Sequence, residues 1–555
     1  MARLGFDAGT IEQVDGVTAH DFATFPDVER VEYDGVTVRA YADRPPSVAT
    51  LFDEAVDRAP DRTFLVFPER ECEFTYGEFA DRVEGTAAAL AARGLADGGR
   101  VALALSNRPA FLDLLLACFR IGAVIVPVNT HLSAEELAPL LSDASPDLVV
   151  TEGEVSEKLR AGVDASGHET TVVDVDETPE AFDVNGTMDA LPAARPAETD
   201  TAALLFTSGT TGRPKGCRAD NFHLCNGALN NARSFDFDDG TRSLVTTPLF
   251  HVAGLVSGAL SVLPVAGSIV VRDQFSPTDF LATIEQHAVN YVMGVPTNYI
   301  LAVEKAEPSV YDTSSLEVAA YGSAPMPSEL VSSIREAFPG AALTNTYGKT
   351  ETVSGIASMC PDEYTDARTD SVGLPTPLVE YRVVDEDRNT LPPGEVGELA
   401  VRGGIVVNEY VDRPDATAAE FANGWHLTGD IGVIDEEGFI TLRGRDSDTI
   451  IRGGKNVHTL EVEEVLAAHS GVMEASVTGF PDEVLGERVL AAVVPKPDTR
   501  LTEDSLRAVC AERLAVYKQP ELYRVLDELP RNASGKVEKD ELLPEPLRFG
   551  IRAGE

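Results

Sequence analysis

The sequence predicts an α/β protein, with a large N-terminal domain of layered α/β sheets and a small α+β domain at the C-terminus. Three observations support this prediction. Short β-rich runs alternate with helical patterns through most of the chain, as in layered folds with largely parallel sheets. The length of 555 residues is enough for more than one domain. Near residue 444 the pattern becomes compact, and about 110 residues remain, the size of a small separate domain.

Hydrophobic periodicity predicts the individual elements. Val462, Val465, Leu466 and His469 recur at i, i+3, i+4 and i+7, which indicates an amphipathic helix in the C-terminal domain. Residues 152–200 are acidic and irregular, and we expect a solvent-exposed segment without regular structure there. The clearest strands are expected at 100–105, 123–128, 147–151 and 267–272, and the clearest helices at 110–120 and 329–338. The predicted domains are 47–444 and 445–555, preceded by residues 1–46, which carry no motif and are unassigned.

The composition excludes several classes of partner. A net charge of −46 repels nucleic acid and anionic membrane surfaces. Only nine of the 45 basic residues are lysines. An acidic, lysine-poor surface is typical of a halophilic archaeon, where salt screens the repulsion between carboxylates. A merely acidic protein from an ordinary cytoplasm is the alternative.

The chain also carries the signs of a cytoplasmic protein. Its six cysteines are scattered without C-x-x-C spacing, which indicates reduced thiols rather than disulfides or a zinc site. The N-terminus shows no basic segment followed by an apolar one, so no signal peptide is expected. Charged residues interrupt the most apolar stretch, 110–128, which therefore predicts a buried helix and strand rather than a membrane span.

The stretch LLFTSGTTGRPKGC, residues 204–217, indicates a phosphate-binding loop. The apolar run 202–206 predicts a buried strand, and two glycines and Pro214 prevent that strand from continuing. Such a loop exposes backbone N–H groups, its hydroxyls add donors, and Lys215 supplies a positive charge. It is not of the Walker type, because glycine follows Lys215. An ordinary flexible Ser/Gly loop is the alternative.

Four further motifs lie downstream of this loop. Each is weak alone, because a Thr-Glu pair, a Gly-Asp turn or a lysine on a tail loop is common on protein surfaces. Their order and spacing together form a specific signal. They are NTYGKTE (345–351), GWHLTGD (424–430), GRDSD followed by GGKNV (444–457), and LPRNASGK (529–536).

With these motifs the chain resembles the adenylate-forming (AMP-binding) superfamily, in particular its acyl-CoA synthetase branch, from about residue 47 to about residue 545. The resemblance implies the adenylate-forming enzyme fold, whose small C-terminal domain is mobile and rotates over the site. It also implies ATP, magnesium and coenzyme A. In the first half-reaction a carboxylate attacks the α-phosphate of ATP, giving an acyl-adenylate and pyrophosphate. A thiol then displaces AMP.

The resemblance assigns nucleotide-binding roles by motif. Asp430 would accept hydrogen bonds from the ribose hydroxyls, as an acceptor-only group can, and Arg445 would reach the ribose and phosphate. The remaining residues are Thr207, Ser208, Gly209, Thr210, Thr211, Gly212 and Lys215 for the β- and γ-phosphates, and Tyr347 with Gly348 for the adenine, with Gly322, Ser323 and Ala324 as the opposite wall.

It also implies a catalytic set. Glu351, together with Thr210, would coordinate magnesium, a cation that prefers oxygen ligands. Thr350 would lie near the α-phosphate, and Lys536 would bridge the carboxylate and the α-phosphate during attack. His251 resembles the gating histidine of acyl- and aryl-CoA synthetases, although a lone histidine can also be a satisfied core residue.

Three positions depart from the family pattern. Ser447 stands at the hinge, where the family usually has Asp or Lys, and Thr459 stands where proline is common. Lys349 occupies a position that is often apolar. We expect Lys349 to pair with an acidic neighbour, with contact to the acid substrate as the alternative.

The acid-binding region reads TTPLFHVAGL (246–255). It holds no acidic residue to pair with an amino-acid ammonium, and Val252, Ala253 and Gly254 indicate an apolar pocket. Because Gly348 replaces the bulky residue of acetate specialists, we expect a medium- or long-chain fatty acid or an aromatic acid. An enzyme that loads a carrier protein, a luciferase-like oxygenase and a silent nucleotide-binding protein are the alternatives.

Overall fold

The computed structural model describes residues 27–178, 182, 191, 195–207, 213–324, 326, 328–358, 368, 371–482, 484–496, 499–531 and 537–544. It has a large part built on two large sheets and a two-stranded one, and a smaller C-terminal part built on a five-stranded sheet, which confirms the predicted α/β class and the two-domain architecture. The proposed boundary at residue 444/445 stays a prediction.

The strands of the large part are β1 (Val28–Tyr33), β2 (Val36–Tyr41), β3 (Thr63–Phe67), β4 (Cys72–Thr75), β5 (Arg100–Ala104), β6 (Val124–Pro127), β7 (Leu148–Thr151), β8 (Thr171–Asp174), β9 (Thr201–Thr207), β10 (Lys215–Asp220), β11 (Arg242–Val245), β12 (Ser268–Val271), β13 (Tyr291–Gly294), β14 (Val318–Tyr321), β15 (Ala342–Gly348), β16 (Gly355–Ser358), β17 (Ser371–Pro375), β18 (Val379–Val384), β19 (Gly397–Gly403), β20 (Phe421–Ala422), β21 (Trp425–Ile434) and β22 (Ile440–Arg445). Those of the small part are β23 (Ile450–Arg452), β24 (Lys455–Val457), β25 (Val472–Asp482), β26 (Gly486–Pro495) and β27 (Leu522–Val525).

The α-helices are α1 (Val48–Arg58), α2 (Tyr76–Ala92), α3 (Pro109–Ile121), α4 (Ala134–Ala144), α5 (Gly153–Ser166), α6 (Asn221–Ser234), α7 (Pro277–His287), α8 (Pro296–Lys305), α9 (Ser328–Ala337), α10 (Pro414–Glu420), α11 (Thr459–Ala467) and α12 (Glu503–Arg513). Shorter helical turns are Pro68–Arg70, Ala253–Ala259, Leu260–Val265, Pro308–Val310, Thr350–Thr352, Asp446–Asp448, Val516–Lys518 and Lys539–Leu542. Across the described ranges, no helix has the length and apolar composition needed to cross a membrane.

The two large sheets combine parallel and antiparallel pairing. One has the order β10-β9-β6-β5-β7-β8, with only β10 antiparallel to its neighbour. The other runs β18-β19-β21-β22-β17-β16-β15-β14-β13-β11-β12-β3-β4, with β20 beside β21. It is parallel from β15 to β3 and antiparallel from β15 to β18. The prediction of largely parallel sheets is therefore wrong for the antiparallel half.

The predicted helix at 110–120 is α3, which is buried around most of its circumference. Its two charged residues are paired with α2. Asp113 accepts from Arg82 at 2.8 Å, and Arg120 donates to Glu84 at 2.7 Å. Paired charges are tolerated inside a core, so this apolar stretch is confirmed as a buried helix that leads into the buried strand β6.

Two sequence expectations need correction. The acidic region 152–200 is not irregular throughout, because it contains α5 and β8, and Leu159 and Val163 on α5 are buried. The helix predicted from Val462, Val465, Leu466 and His469 is α11, but it ends at Ala467. His469 lies beyond that end and donates its backbone N–H to the carbonyl of Leu466.

The previously unassigned N-terminal region contributes the hairpin β1–β2. Its Tyr33 stacks on Phe222, with ring centroids 3.9 Å apart, and donates to Asp220 at 2.7 Å. Asp220 ends β10 and caps α6. The hairpin therefore stabilises the elements that directly follow the predicted phosphate loop.

Candidate active site

The predicted phosphate loop connects two paired strands. β9 and β10 are antiparallel, with Thr207 opposite Lys215. Residues 202–205 are buried, which confirms the strand predicted before the loop. Lys215 begins β10, and its side chain is 19% exposed. The remaining loop residues, Ser208, Gly209, Thr210, Thr211 and Gly212, lie outside the described residues.

The two motifs expected around the adenine lie at one edge of the parallel sheet. β14 and β15 are neighbouring parallel strands with Tyr321 opposite Asn345. The segment Gly322, Ser323, Ala324 follows β14, and Tyr347 and Gly348 end β15. A side chain at residue 322 would place its Cβ 2.5 Å from the carbonyl oxygen of Thr346, so only glycine allows this close approach. Carboxyl ends of parallel strands are where α/β sheets bind ligands.

Asp430 is the centre of a first network. It is 6% exposed and lies on β21 opposite Arg445 of β22. Arg445 Nε is 3.3 Å from Asp430 Oδ1. Tyr347 donates its hydroxyl to Asp430 Oδ2 at 2.5 Å, and Lys349 Nζ is 3.5 Å from the same oxygen. The structure thus brings together three sequence-predicted nucleotide-binding residues from three strands.

Lys349 lies between this network and the Glu351 carboxylate. Its ammonium donates to the carbonyl oxygen of Thr428 and approaches Asp430. These contacts favour the expected pairing with an acidic neighbour over contact with the acid substrate. In addition, Lys349 is the strongest of the influences that lower the pKa of Glu351.

Glu351 belongs to the short helical turn Thr350–Thr352 and is 8% exposed. Burial alone would raise its pKa. The charge of Lys349, the proximity of His426 and the hydrogen bond from Tyr410 outweigh burial and lower the pKa to about 2. Glu351 is therefore ionised at neutral pH. A buried, ionised carboxylate fits magnesium, which is usually held by one or two carboxylates together with substrate phosphates.

A second network joins Glu351 to Lys215. The Tyr410 hydroxyl is 2.9 Å from Glu351 Oε1 and 2.6 Å from Glu420 Oε2. Lys215 donates to Glu420 Oε1 at 2.5 Å, and its ammonium lies 5.0 Å from the centre of the Tyr410 ring. The predicted magnesium ligand and the predicted phosphate-binding lysine are thus connected through two residues that sequence reasoning missed.

The backbone explains why Tyr410 reaches both sides. The segment around it runs beside β10, where Val411 N–H donates to the carbonyl of Gly216. On the other side, Val407 N–H donates to the carbonyl of Glu351 at 2.9 Å. Thr417 of α10 accepts from the Tyr410 N–H at 3.0 Å, which holds the end of α10, and therefore Glu420, against Tyr410.

His426, in the GWHLTGD motif, was also missed. Its ring is fully buried and stacks on Phe421, with centroids 4.6 Å apart. Burial lowers its pKa to about 4, although the Glu351 carboxylate opposes this effect. His426 is therefore neutral at pH 7. A histidine within a predicted motif gives no sequence signal that separates such packing from catalysis.

The predicted acyl region is positioned by a different part of the fold. His251 precedes the helical turn Ala253–Ala259, and its ring packs against Phe250 with centroids 4.7 Å apart. Gly254 is buried, and a Cβ there would lie 2.4 Å from the carbonyl oxygen of Pro248. Val252 and Ala253 are partly buried and pack against hydrophobic clusters of the large domain. The roles of His251 and of the apolar pocket stay predictions.

In the small domain, the turn that follows β22 and the start of α11 are joined to the tail. Ser447 lies in the turn Asp446–Asp448 that follows β22, and Thr459 begins α11. Lys539 donates to Thr459 Oγ1 at 3.1 Å and lies 2.9 Å from Asp448 Oδ2. Thr459, which stands where the family often has proline, is therefore a hydrogen-bond acceptor for the tail. Lys536 lies outside the described residues.

Comparison with known proteins agrees with this geometry. The AMP-binding enzyme family matches residues 52–411, and the AMP-binding enzyme C-terminal domain matches residues 461–536. A feruloyl-CoA synthase of Amycolatopsis sp is 35% identical, with 86% of this chain and 94% of the relative covered. An indoleacetate–CoA ligase of Aromatoleum aromaticum is 33% identical, with 87% of this chain and 95% of the relative covered.

Solved structures show the same relationship. O-succinylbenzoate coenzyme A synthetase (MenE) from Bacillus subtilis, in complex with ATP and a magnesium ion, has a TM-score of 0.79 and 31% identity, covering 90% of this chain and 99% of its own. ATP-bound MatB from Rhodopseudomonas palustris has a TM-score of 0.81 and 30% identity over the same shares. The chain therefore belongs to the AMP-binding enzyme family, as an AMP-forming acyl-CoA synthetase that uses ATP, magnesium and coenzyme A.

Proposed function

We propose that this enzyme activates a bulky carboxylic acid, aromatic acids first and medium- or long-chain fatty acids second, and transfers it to coenzyme A. The observation that carries the proposal is the joining of Asp430, Glu351 and Lys215 into two adjacent networks linked by Lys349. The choice of a bulky acid is supported by relatives named for feruloyl and indoleacetate substrates. Gly348 does not separate large from small acids, because backbone packing alone requires glycine there: a Cβ would lie 2.6 Å from the carbonyl oxygen of Ser354.

The residues act in complementary ways in this proposal. Asp430 and Tyr347 bind the nucleoside, and Lys215 with the phosphate loop binds the β- and γ-phosphates. Glu351 holds magnesium, which neutralises charge on the phosphates. Lys536 places its cation where the carboxylate attacks the α-phosphate, and preorganised charge at such a point is a large source of rate enhancement. His251 controls access to the acyl pocket.

A screen of carboxylic acids tests the proposal. The purified protein is incubated with ATP, magnesium, coenzyme A and single acids from cinnamate-like, indole, benzoate and fatty series. We expect AMP, pyrophosphate and an acyl-CoA, with the highest kcat/KM for an aromatic acid. Formation of ADP and phosphate would contradict the assignment. Adenylation without coenzyme A consumption would favour the carrier-loading alternative, which the named relatives do not favour over the main proposal.

Lys536→Ala separates the two half-reactions. Its charge is needed only while an adenylate forms, so pyrophosphate exchange should fall about 10²–10³-fold. Thioester formation from a supplied acyl-adenylate should be largely retained. Equal losses in both half-reactions would contradict the proposed role of this lysine.

The cytoplasm of a halophile is the proposed location. The net charge of −46 makes unscreened carboxylates repel one another. We therefore expect both the melting temperature and the activity to rise steadily as KCl is increased from dilute buffer to molar concentrations. Full activity and an unchanged melting temperature in dilute buffer would show that the acidic surface has another origin.

A further inference from the structure

Glu420 lies at the end of α10 and makes the most direct contact to the predicted phosphate-binding lysine. Its Oε1 is 2.5 Å from Lys215 Nζ, and the two side chains are 31% and 19% exposed. Its other oxygen, Oε2, lies 2.6 Å from the Tyr410 hydroxyl. Both oxygens of one carboxylate are therefore engaged at the predicted phosphate site.

The charges around Lys215 are unbalanced. Lys215 is the cation of this network, while Glu420 and Glu351 both carry negative charge, and Tyr410 lies between them. The Tyr410 hydroxyl has one proton and can fully satisfy only one of the two carboxylates at a time. The Lys215 ammonium therefore supplies much of the stabilisation of the Glu420 charge.

Phosphates that approach Lys215 must share its ammonium with this carboxylate. An ion pair with a carboxylate and an ion pair with a phosphate both draw on the same positive charge, and the two anions repel each other at short range. We propose that Glu420 is a positioning residue that competes with the phosphates of ATP, and with pyrophosphate, for the ammonium of Lys215. Glu420 thereby weakens pyrophosphate binding and favours its release after the first half-reaction.

This inference rests on the proposed placement of the ATP phosphates at Lys215. It does not depend on which acid is activated, because it concerns binding of the nucleotide and pyrophosphate alone. Failure to find an acid substrate therefore leaves its test unaffected, and failure of its test leaves the acid screen unaffected.

The test compares Glu420→Gln with a matched control. Glu409→Gln makes the same change at a glutamate that pairs with Arg218, also on β10, at 2.7 Å. Equilibrium dissociation constants are measured calorimetrically for magnesium-ATP, magnesium-pyrophosphate and AMP. Glu420→Gln should tighten ATP and pyrophosphate binding about fivefold, as expected for a partly exposed ion pair, and leave AMP binding unchanged. The control should leave all three constants unchanged.

A double-mutant cycle assigns the effect to Lys215. In a Lys215→Met background, Glu420→Gln should change ATP and pyrophosphate binding by much less than in the wild type, because the shared cation is gone. An equal effect in both backgrounds would show direct repulsion of the ligand and would overturn the proposal. Unchanged or weaker pyrophosphate binding in Glu420→Gln would overturn it as well.

A second variant guards against misfolding of Glu420→Gln. Glu420→Asp keeps the charge but withdraws the carboxylate from Lys215 by one methylene. We expect this variant, like Glu420→Gln, to bind pyrophosphate more tightly than the wild type. Urea unfolding shows whether the variant is folded. Wild-type affinity for pyrophosphate in a folded Glu420→Asp protein would contradict competition for the ammonium.

Discussion

The nucleoside end of the site and its phosphate end are built differently. At the nucleoside end, Asp430 accepts a hydrogen bond from Tyr347 and forms ion pairs with Lys349 and Arg445. At the phosphate end, one cation, Lys215, serves Glu420, and the Tyr410 hydroxyl is shared by Glu420 and Glu351. The first end has more donors than acceptor groups, and the second has more carboxylates than cations.

This difference has a physical consequence for ligand binding. Asp430, Lys349 and Arg445 sum to one net positive charge, whereas Glu351, Glu420 and Lys215 sum to one net negative charge. A ribose is uncharged and needs only oriented acceptors and donors. A triphosphate is highly negative, so the phosphate end requires a divalent cation before it attracts its ligand. The nucleoside end is therefore expected to bind AMP without magnesium.

Among the variants considered, Glu351→Gln should have the largest effect, because it disables the phosphate end of the site. The substitution keeps the size of the side chain but removes the charge that attracts magnesium. We expect adenylation, measured by pyrophosphate exchange at saturating acid, to fall about 10²–10³-fold, and AMP binding without magnesium to stay at the wild-type level. Equal losses of AMP binding and exchange would indicate that Glu351 supports the fold of both ends rather than the metal.

Asp430→Asn should impair nucleotide binding at the nucleoside end, with a smaller effect than Glu351→Gln has at the phosphate end. It replaces an acceptor-only group that is hydrogen-bonded to Tyr347 by an amide that cannot accept on both sides. We expect ATP and AMP binding to weaken alike, by about 10- to 100-fold, the range for losing hydrogen bonds to a charged group. Titrations with each nucleotide measure this. If only ATP binding were weakened, Asp430 would belong to the phosphate end, and the proposed difference between the two ends would be contradicted.

Two buried tyrosines, one at each end of the site, allow the two ends to be compared by removing a single hydroxyl group from each. Tyr347→Phe deletes the hydroxyl that donates to Asp430, and Tyr410→Phe deletes the one between Glu351 and Glu420. We expect Tyr347→Phe to weaken ATP and AMP binding alike, about three- to tenfold. Tyr410→Phe should change the binding affinity only for ligands that carry β-phosphates or magnesium. Identical profiles for the two variants would remove the distinction between the ends.

The two ends of the site also differ in how well the sequence predicted their residues. The nucleoside end was predicted from motifs, because Tyr347, Asp430 and Arg445 each stand beside a glycine within a recognisable motif. Glu420 and Tyr410 carry no such motif, and their partners lie far away in the chain: Lys215 is 205 residues from Glu420, and Glu351 is 59 from Tyr410. Contacts of this kind depend on strand order, which local patterns do not encode.

The fold shows the same limit. The parallel strands β5, β6, β7 and β12 were predicted because buried parallel strands are continuous apolar runs. The antiparallel half from β16 to β22 was not, because its strands pair with partners set by the tertiary fold. α11 was predicted from its periodicity, but its end was placed two residues too far, since His469 continues the spacing without continuing the helix.

Lys349 connects the two ends, and Lys349→Met tests that connection with the smallest expected effect. The folded-state pKa of Glu351 is lowered to about 2 from an ordinary value near 4.5, against the effect of burial and mainly by Lys349. A lowered carboxylate pKa stabilises the fold above the ordinary value, and this stabilisation is lost as pH falls from about 4.5 towards 2. Removing Lys349 should raise the pKa of Glu351.

The free energy of unfolding of Lys349→Met should therefore be lower than that of the wild type by about 1 kcal/mol at pH 7, a fraction of the full shift. The gap should narrow as pH falls from 4.5 towards 2, where Glu351 becomes protonated in both proteins. Urea unfolding in EDTA at a series of pH values measures this gap. Lys158→Met is the control, because it makes the same change at a half-buried lysine of α5 that donates to the carbonyl of Thr130. A gap that stays constant with pH would mean that Lys349 acts through Thr428 and Asp430 alone, and the two ends would then be electrostatically independent.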